Sequence, residues 1–182
     1  MLFLTQKDID DLRSRGFEEE NIYSTPSPER IEQAKQIAEH VTKTFRGIKL
    51  GCGIGLHEGQ AIDDYESDKE RKSKRKKDEK ENWSAIRSDT LNTCNSSLSF
   101  FDAAGMRFHL PAFICSDLRG EYDQSLEFSL TDLSDWMKEK FMLFTNKEKE
   151  AVALYLEFLA DDIDSEFSRE SIFQALEEYW KK

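Results

Sequence analysis

The segment from Ser99 to Cys115 constrains the fold most, because it is the most apolar part of a very polar chain. It contains four of the 13 phenylalanines, and each large aromatic side chain can bury about 150–250 Å² of surface. The chain as a whole has 35% charged residues against 38% hydrophobic ones. Because few other residues are available to build a core, we expect this segment to be buried and the remaining elements to pack around it.

The composition favours a mainly α-helical fold. Eight Gly and three Pro among 182 residues are few for a β protein with many turns. The length of the chain fits one domain. We therefore expect a compact multi-helix domain over residues 28–182, with at most one short two-stranded β element. Residues 1–27 are predicted to form an N-terminal helical appendage.

Two long helices carry the clearest local signals. The first is predicted to follow the Ser27-Pro28 pair, because these residues suit an N-cap and a first helical position. Its apolar residues share one face: Ile31, Ala34, Ile37, Ala38, Val41 and Phe45. The second is predicted after the capping box that Thr145 forms with Glu148.

Shorter patterns predict the elements between these two helices and after them. Asp102 to Gly105 is interpreted as a turn, and Pro111 is interpreted as the start of a helix that reaches Leu118. Alternating apolar residues predict a short strand at Leu126, Phe128 and Leu130. Ser168 is predicted to cap a last helix.

The glycine-rich segment from Leu50 to Leu56 raises the question of a phosphate-binding loop. Its GxGxG spacing differs from the dinucleotide-binding fingerprint, and no GK[ST] sequence follows it as in a P-loop. We therefore interpret the segment as a tight backbone turn between two helices.

The net charge of −11 is unevenly distributed. The run Lys69–Lys77 has seven basic residues and one acidic residue, so the rest of the chain has 19 basic and 36 acidic residues and a net charge of −17. Residues 66–81 lack aliphatic and aromatic side chains. Because such a stretch cannot bury apolar surface, we predict a solvated helix or a mobile charged loop there.

An acidic body of this kind attracts a basic protein partner. It repels nucleic acids and anionic membranes, so only Lys69–Lys77 offers a place for nucleic acid to bind. The sequence places the candidate partner face at an acidic cluster near the C-terminus: Asp161, Asp162, Asp164 and Glu166.

One group of acids and a histidine suggests a divalent-metal site as an alternative. Its members fall on two successive turns of a predicted short helix: His57, Glu58, Asp63 and Asp64, with Asp78 and Glu79 further along the chain. The spacing matches no HExxH motif. An acid near a helix N-terminus is also explained by the helix dipole alone, so this reading stays an alternative.

Arg107 and His109 are embedded among aromatic residues, with Asp102 nearby in sequence. A general base needs a nucleophile and an orienting partner, and no GxSxG or comparable motif is present. We therefore interpret these three residues as structural polar groups of the core. Cys52, Cys94 and Cys115 lack CxxC spacing, so we expect free thiols in a reducing cytoplasm and no cofactor.

The start of the chain has no secretion signal in this reading. Met1 to Leu4 is too short for the hydrophobic part of a signal peptide, and no apolar run approaches the ~20 residues that span a bilayer. We expect a soluble cytoplasmic protein.

The segment from Ser97 to Phe113, with its RFxLPA core, resembles an uncharacterised bacterial family catalogued as domain of unknown function 6714. Phe45–Gly47, Gly51–Asp64, Trp83 and the closing Tyr179-Trp180 pair fit the same resemblance, which extends from about Pro28 to the end of the chain. The basic run departs from it. The resemblance implies no catalytic residue, and it associates the chain with interaction or immunity-type proteins.

These observations support three hypotheses. The first is a non-enzymatic acidic module that binds a basic protein, as an inhibitor or immunity protein does. The second is a metal-dependent hydrolase that uses the His57–Asp64 cluster. The third is a structural or regulatory subunit of a larger assembly. The sequence leaves the oligomeric state open.

Overall fold

The computed structural model describes residues 13–16, 27–162 and 166–182, and the fold of these residues is mainly α-helical. Within them the chain forms ten α-helices: α1 Pro28–Thr44, α2 Leu56–Asp63, α3 Asp68–Arg75, α4 Ser88–Thr93, α5 Ser97–Phe100, α6 Ala103–Leu118, α7 Glu127–Thr131, α8 Asp135–Phe141, α9 Asn146–Asp162 and α10 Glu166–Ala175. A 3₁₀ turn, Trp83–Ala85, precedes α4, and a π-helical turn, Leu176–Trp180, continues α10. No β-strand occurs among the described residues.

Helix α6 forms the centre of the fold. Thirteen of its 16 residues are buried, as expected for a helix that is apolar on all sides. It packs against α1, α4, α8 and the 3₁₀ turn. The apolar segment that begins at Ser99 therefore supplies the central element of the core.

The predicted start of this central helix is wrong, whereas its predicted end at Leu118 is confirmed. Asp102 is its N-cap, and its carboxylate accepts a hydrogen bond from the Gly105 N–H at 2.8 Å. This cap starts the helix where we predicted a turn. Pro111 lies inside the helix, and its ring removes only one backbone donor. Burial on all sides holds the helix together through that position.

The strand predicted at Leu126, Phe128 and Leu130 is also wrong, because the structure has helix α7 there. Leu126 and Leu130 are buried, whereas Phe128 is 67% exposed. Two buried residues four positions apart fit one helical face as well as they fit one strand face. The short pattern therefore does not distinguish the two structures.

The two long helices are confirmed. At the start of α1, Ser27 Oγ accepts a hydrogen bond from the Arg30 N–H at 3.2 Å. At the start of α9, the Glu148 carboxylate accepts one from the Thr145 N–H at 2.8 Å. Helix α10 begins at Glu166, two residues before the cap that we predicted.

The charged segment over residues 66–81 contains helix α3. Of the two predicted forms, a solvated helix and a mobile loop, the helix is therefore the one observed. Ser67 caps this helix in a reciprocal capping box with Glu70. The helix is fastened to the glycine-rich turn, because the Arg75 guanidinium donates to the Gly51 carbonyl at 3.0 Å. The segment thus covers one end of the domain.

Close approach of the backbone explains the glycines of the turn between α1 and α2. A Cβ on Gly53 would lie 2.7 Å from the Cβ of Ala104, at the start of α6. A Cβ on Gly105 would lie 2.4 Å from the carbonyl oxygen of Ile54. The turn therefore packs directly against the central helix, which only glycine permits at these positions.

Of the predicted N-terminal appendage, the structure describes residues 13–16 and 27 alone. Arg13 and Ser14 are helical, and Gly16 has a φ of 82°. None of the helices in the described part of the chain is both long enough and apolar enough to cross a lipid bilayer.

Candidate functional site

A groove between α1 and α9 contains part of the predicted acidic face. Its volume is about 450 Å³. Both helices contribute residues at the i, i+3, i+4 and i+7 spacing of a single helix face: Gln33, Gln36, Ile37 and His40 from α1, and Leu154, Glu157, Phe158 and Asp161 from α9. We call this surface the α1–α9 groove.

The two helices of the groove are antiparallel. The Arg30 guanidinium, at the start of α1, donates to the Phe158 carbonyl and lies 3.4 Å from the centre of the Phe158 ring, near the end of α9. At the other end, the rings of Phe45 and Phe144 meet edge to face at 5.9 Å. Contacts at both ends fix the two walls of the groove relative to each other.

The groove combines an exposed aliphatic side chain with exposed carboxylates. Leu154 is 40% exposed although its α9 neighbours Val152, Ala153, Tyr155 and Leu156 are buried. Glu157 pairs with Lys181, and Asp161 pairs with Arg30 at 3.6 Å, but the Asp161 side chain remains 70% exposed. Its carboxylate is therefore open to a further cation.

The other residues of the predicted acidic face are less defined. Asp162 is the last residue of α9 and Glu166 is the first of α10, whereas Asp164 lies outside the described residues. Asp161 is therefore the one residue of the predicted acidic face whose side-chain contacts the structure describes.

Helix α9 is anchored to the core helix by buried polar contacts. Arg107 donates to the Glu148 carboxylate through Nε and Nη2, at distances from 2.9 to 3.1 Å. The Tyr155 hydroxyl donates to the Asp117 carboxylate at 2.7 Å. Arg107 therefore pairs with an acid of a neighbouring helix. The same contacts hold one wall of the groove on α6.

The residues of the predicted metal cluster do not converge on a common point. Glu58 pairs with Arg75 at 3.2 Å, and Asp64 accepts a hydrogen bond from the Gln60 amide at 3.1 Å. Among the described residues, no group of three or more His, Cys, Asp and Glu side chains is placed to hold a metal ion. The geometry therefore supplies no metal centre for the hydrolase hypothesis.

His57 instead lies between Asp78 and Cys94, and no sequence pattern predicts its contact with Cys94. Its Nδ1 lies 3.6 Å from the Cys94 Sγ, and its backbone N–H donates to the Asp78 carboxylate at 2.7 Å. Asp78 thus caps the N-terminus of α2 from a distant part of the chain, because the actual N-cap, Gly55, has no side chain. No local spacing indicates this set, since its members come from three separate segments.

The Cys94–His57 pair has the residue types of a nucleophile and a base, but its setting disfavours catalysis. Cys94 is only 3% exposed. Burial, followed by the negative charge of Asp78, raises the pKa of the Cys94 thiol. Burial also raises the pKa of Asp78, against the effect of its hydrogen bond from His57. A buried, protonated thiol is a poor nucleophile.

Of the two other predicted polar residues, Asp102 caps α6 and His109 lies inside the helix. His109 is fully buried, its ring stacks on Phe101 with centroids 4.5 Å apart, and its Nδ1 lies 2.8 Å from the Gly105 carbonyl oxygen. Asp102 accepts hydrogen bonds from the N–H groups of Gly105 and Ile54. These contacts join the glycine-rich turn to the core helix.

The burial of His109 predicts a loss of stability in mild acid. Burial lowers the pKa of His109 to about 4, against an ordinary value of 6.5. The unfolded chain therefore takes up a proton at a higher pH than the folded chain does. The stability that neutral His109 contributes is complete above its pKa of 6.5 in the unfolded chain. It is lost as the pH falls toward the pKa of about 4 in the folded protein. Between about pH 7 and pH 5 we expect the free energy of unfolding to decrease by about 2 kcal/mol.

Urea denaturation at a series of pH values measures this effect. His109→Gln removes the titrating group, so the difference in unfolding free energy between the two proteins should shrink as the pH falls through this window. Asp78 and Asp117 have pKa values raised by burial and titrate in both proteins, so they cancel in the comparison. Parallel pH profiles would contradict the assignment.

Comparison with protein families gives a match over most of the chain. A model of DUF6714, described as a family of unknown function, matches residues 33–182. No curated protein and no solved structure matches the chain significantly.

Proposed function

Because the chain belongs to the DUF6714 family, whose function is unknown, we propose a function from its geometry: it is a non-enzymatic module that binds a basic segment of a partner protein in the α1–α9 groove. The observation that carries this proposal is the exposure of Leu154 on the same helix face as Glu157 and Asp161. A module of this kind neutralises its partner, as an inhibitor or an immunity-type protein does.

The composition of the groove selects the chemistry of the partner. An aliphatic contact flanked by carboxylates fits an amphipathic segment that presents an apolar side chain between lysines or arginines. Opposite charges across such an interface raise the association rate and exclude acidic competitors. The net charge of −11 adds a long-range attraction for basic proteins.

The size of the groove is consistent with side-chain recognition. Its volume of about 450 Å³ is almost twice the roughly 230 Å³ of the groove between α7 and α10, which Phe128 lines. Ile37, from α1, lies below the rim with an exposure of 9%. An inserted side chain would therefore find apolar surface at the bottom and carboxylates at the edge.

Site-directed capture tests the proposal. We expect Asp161→Lys and Leu154→Glu to reduce capture of a basic partner from host lysate about tenfold or more, because each change removes one of the two recognition elements. The wild-type complex should weaken with salt. Asp161→Lys should change stability little, because the Asp161 side chain is 70% exposed and Arg30 keeps its contacts with the Phe158 carbonyl and ring.

Glu139→Lys is the matched control, since Glu139 is an exposed acid on α8, outside the groove, and the change alters the net charge equally. It should retain the partner. Capture that falls equally in Glu139→Lys and Asp161→Lys would show that net charge, and not the groove, is recognised. Retention by Leu154→Glu would also contradict the proposal.

A further inference from the structure

Tyr65, between α2 and α3, has an unusual combination of backbone strain and exposure. Its φ is 55°, and no other described residue except glycine has a positive φ. The turn has the hydrogen bonds of a Schellman motif, in which the Glu66 N–H donates to the Ala61 carbonyl at 2.9 Å. Glycine is the usual residue at this left-handed position.

Packing of the Tyr65 ring does not offset the energetic cost of the strained backbone. Its exposure is 96%, the highest among the large hydrophobic residues of the described part of the chain. A strained residue that contributes little to the core points to a function for its side chain. Tyrosine is enriched among the residues that contribute most to binding at interfaces.

Helix α3, which follows directly, divides its basic residues between two faces. Arg71, Lys74 and Arg75 are partly buried and pair with Asp68 of the same helix, Glu66 and Glu58, respectively. Lys69, Lys72 and Lys76 are exposed, and within the described residues none of them forms an ion pair. We call these three residues the lysine ridge.

The spacing of the lysine ridge suits an extended polyanion. The i, i+3 and i+7 positions place its members on one helix face over about 10 Å. The exposed hydroxyl of Ser73 lies on the same face, at i+4 from Lys69. Lysine binds phosphate as a mobile point charge, whereas arginine suits the planar carboxylate. Both arginines of α3 are already paired with carboxylates, Arg71 with Asp68 of the same helix and Arg75 with Glu58 of α2.

We propose that Tyr65 and the lysine ridge form a binding site for single-stranded nucleic acid. The ring of Tyr65 stacks on an unpaired base, and the lysines contact the phosphates on one side of it, which is the usual composition of sequence-tolerant single-strand sites. The negative charge of the rest of the chain acts through salt-screened water, where its reach is about 8–10 Å. The site lies on other elements than the α1–α9 groove, so the two proposals stand or fall separately.

Fluorescence anisotropy with a labelled oligothymidylate of about 12 nucleotides tests this site, because single-strand sites cover roughly 4–16 nucleotides. We expect binding at about 0.1 M salt, where repulsion by the acidic body reaches only about 10 Å, with a slope of log affinity against log salt of about −2 at higher salt for three phosphate contacts. Replacing Lys69, Lys72 and Lys76 together with Gln should abolish most of the binding and flatten that slope. The matched control replaces Lys35, Lys43 and Lys147, which are exposed on α1 and α9.

Tyr65→Gly separates binding from folding. Glycine relieves the left-handed backbone, so the melting temperature should rise while affinity for the oligothymidylate falls about tenfold. Tyr65→Phe keeps an aromatic face and should bind as the wild type does. A Tyr65→Gly variant with unchanged affinity would overturn the proposal, as would equal loss in the control lysine variant. Binding of polyglutamate as tight as that of the oligothymidylate would overturn it too, because an acidic protein would then be the better occupant.

Discussion

Gly55→Ala is expected to reduce the free energy of unfolding by about 3 kcal/mol, because the added methyl group overlaps a buried carboxylate. A Cβ on Gly55 would lie 1.9 Å from Oδ2 of Asp78 and 2.7 Å from the Asp78 Cβ. Moving the carboxylate alone does not relieve the second contact. Asp78 would have to leave its position, and the His57 N–H at the start of α2 would lose its acceptor.

Urea denaturation of single and double variants isolates this overlap. Asp78→Gly alone should cost about 2 kcal/mol through loss of the cap. In the double variant Gly55→Ala with Asp78→Gly, the overlap is gone, so the combined loss should be well below the sum of the two single losses. Gly47→Ala controls for glycine replacement in general, because nothing lies within 4 Å of the added Cβ and only its φ of 79° is strained. Additive losses would contradict the account.

Glu148→Ala is expected to reduce the free energy of unfolding by about 3 kcal/mol. The Glu148 side chain is 3% exposed and holds Arg107, whose side chain is 28% exposed. Removing the carboxylate leaves the guanidinium half-buried without its partner, which is far more costly than losing an exposed pair. It also removes the acceptor for the Thr145 N–H at the start of α9. Denaturation of the single variant measures the loss.

Two comparisons test the cause of that loss. Replacing Arg107 and Glu148 together with Met should recover much of the stability, since no unpaired charge then remains. Glu81→Ala breaks the exposed pair between Glu81 and Lys49 and should change stability by less than about 1 kcal/mol. Equal losses in Glu148→Ala and Glu81→Ala would show that burial of the Arg107–Glu148 pair is not what makes it important.

Local signals were sufficient for the long helices. Helix α1 has a Ser-Pro start and a continuous apolar face, and α9 has a capping box, so neither depends on distant residues. The central position of α6 also followed from its apolar sequence. The first turn of α6 was not predicted. Asp102 caps the helix, but Pro111 is a residue type common at helix starts, so the two signals indicate different first residues.

Sequence patterns do not predict contacts between segments that are distant in the chain. Asp78 lies 21 residues from His57, and Cys94 lies 37 residues from it, yet all three meet at the start of α2. The sequence pattern groups His57 with Glu58, Asp63 and Asp64, which are near in the chain, and includes Asp78 only as a more distant acid of the same metal site. In the folded chain the nearest partners of His57 come from other elements.

The candidate groove was predictable in part. The acidic cluster near Asp161 was chosen from charge alone, and the structure adds Leu154, an exposed aliphatic residue on the α9 face that also carries Glu157 and Asp161. The available signal was an aliphatic residue outside the apolar face of α9 that packs on the core. Its pairing with the face of α1 that carries Gln33 and His40 required the antiparallel packing of the two helices.

Photocrosslinking from the groove tests the central claim most directly. With p-benzoylphenylalanine in place of Leu154, the protein is irradiated in host lysate, and the crosslinked peptide is identified by mass spectrometry. We predict that the crosslinked peptide is rich in Lys and Arg. The crosslink should be lost at high salt, and also when the protein with the probe carries Asp161→Lys as a second substitution. The same probe in place of Phe128, in the groove between α7 and α10, should not crosslink to it. Equal crosslinking from both positions, or a crosslinked segment without basic residues, would contradict recognition of a basic partner in the α1–α9 groove.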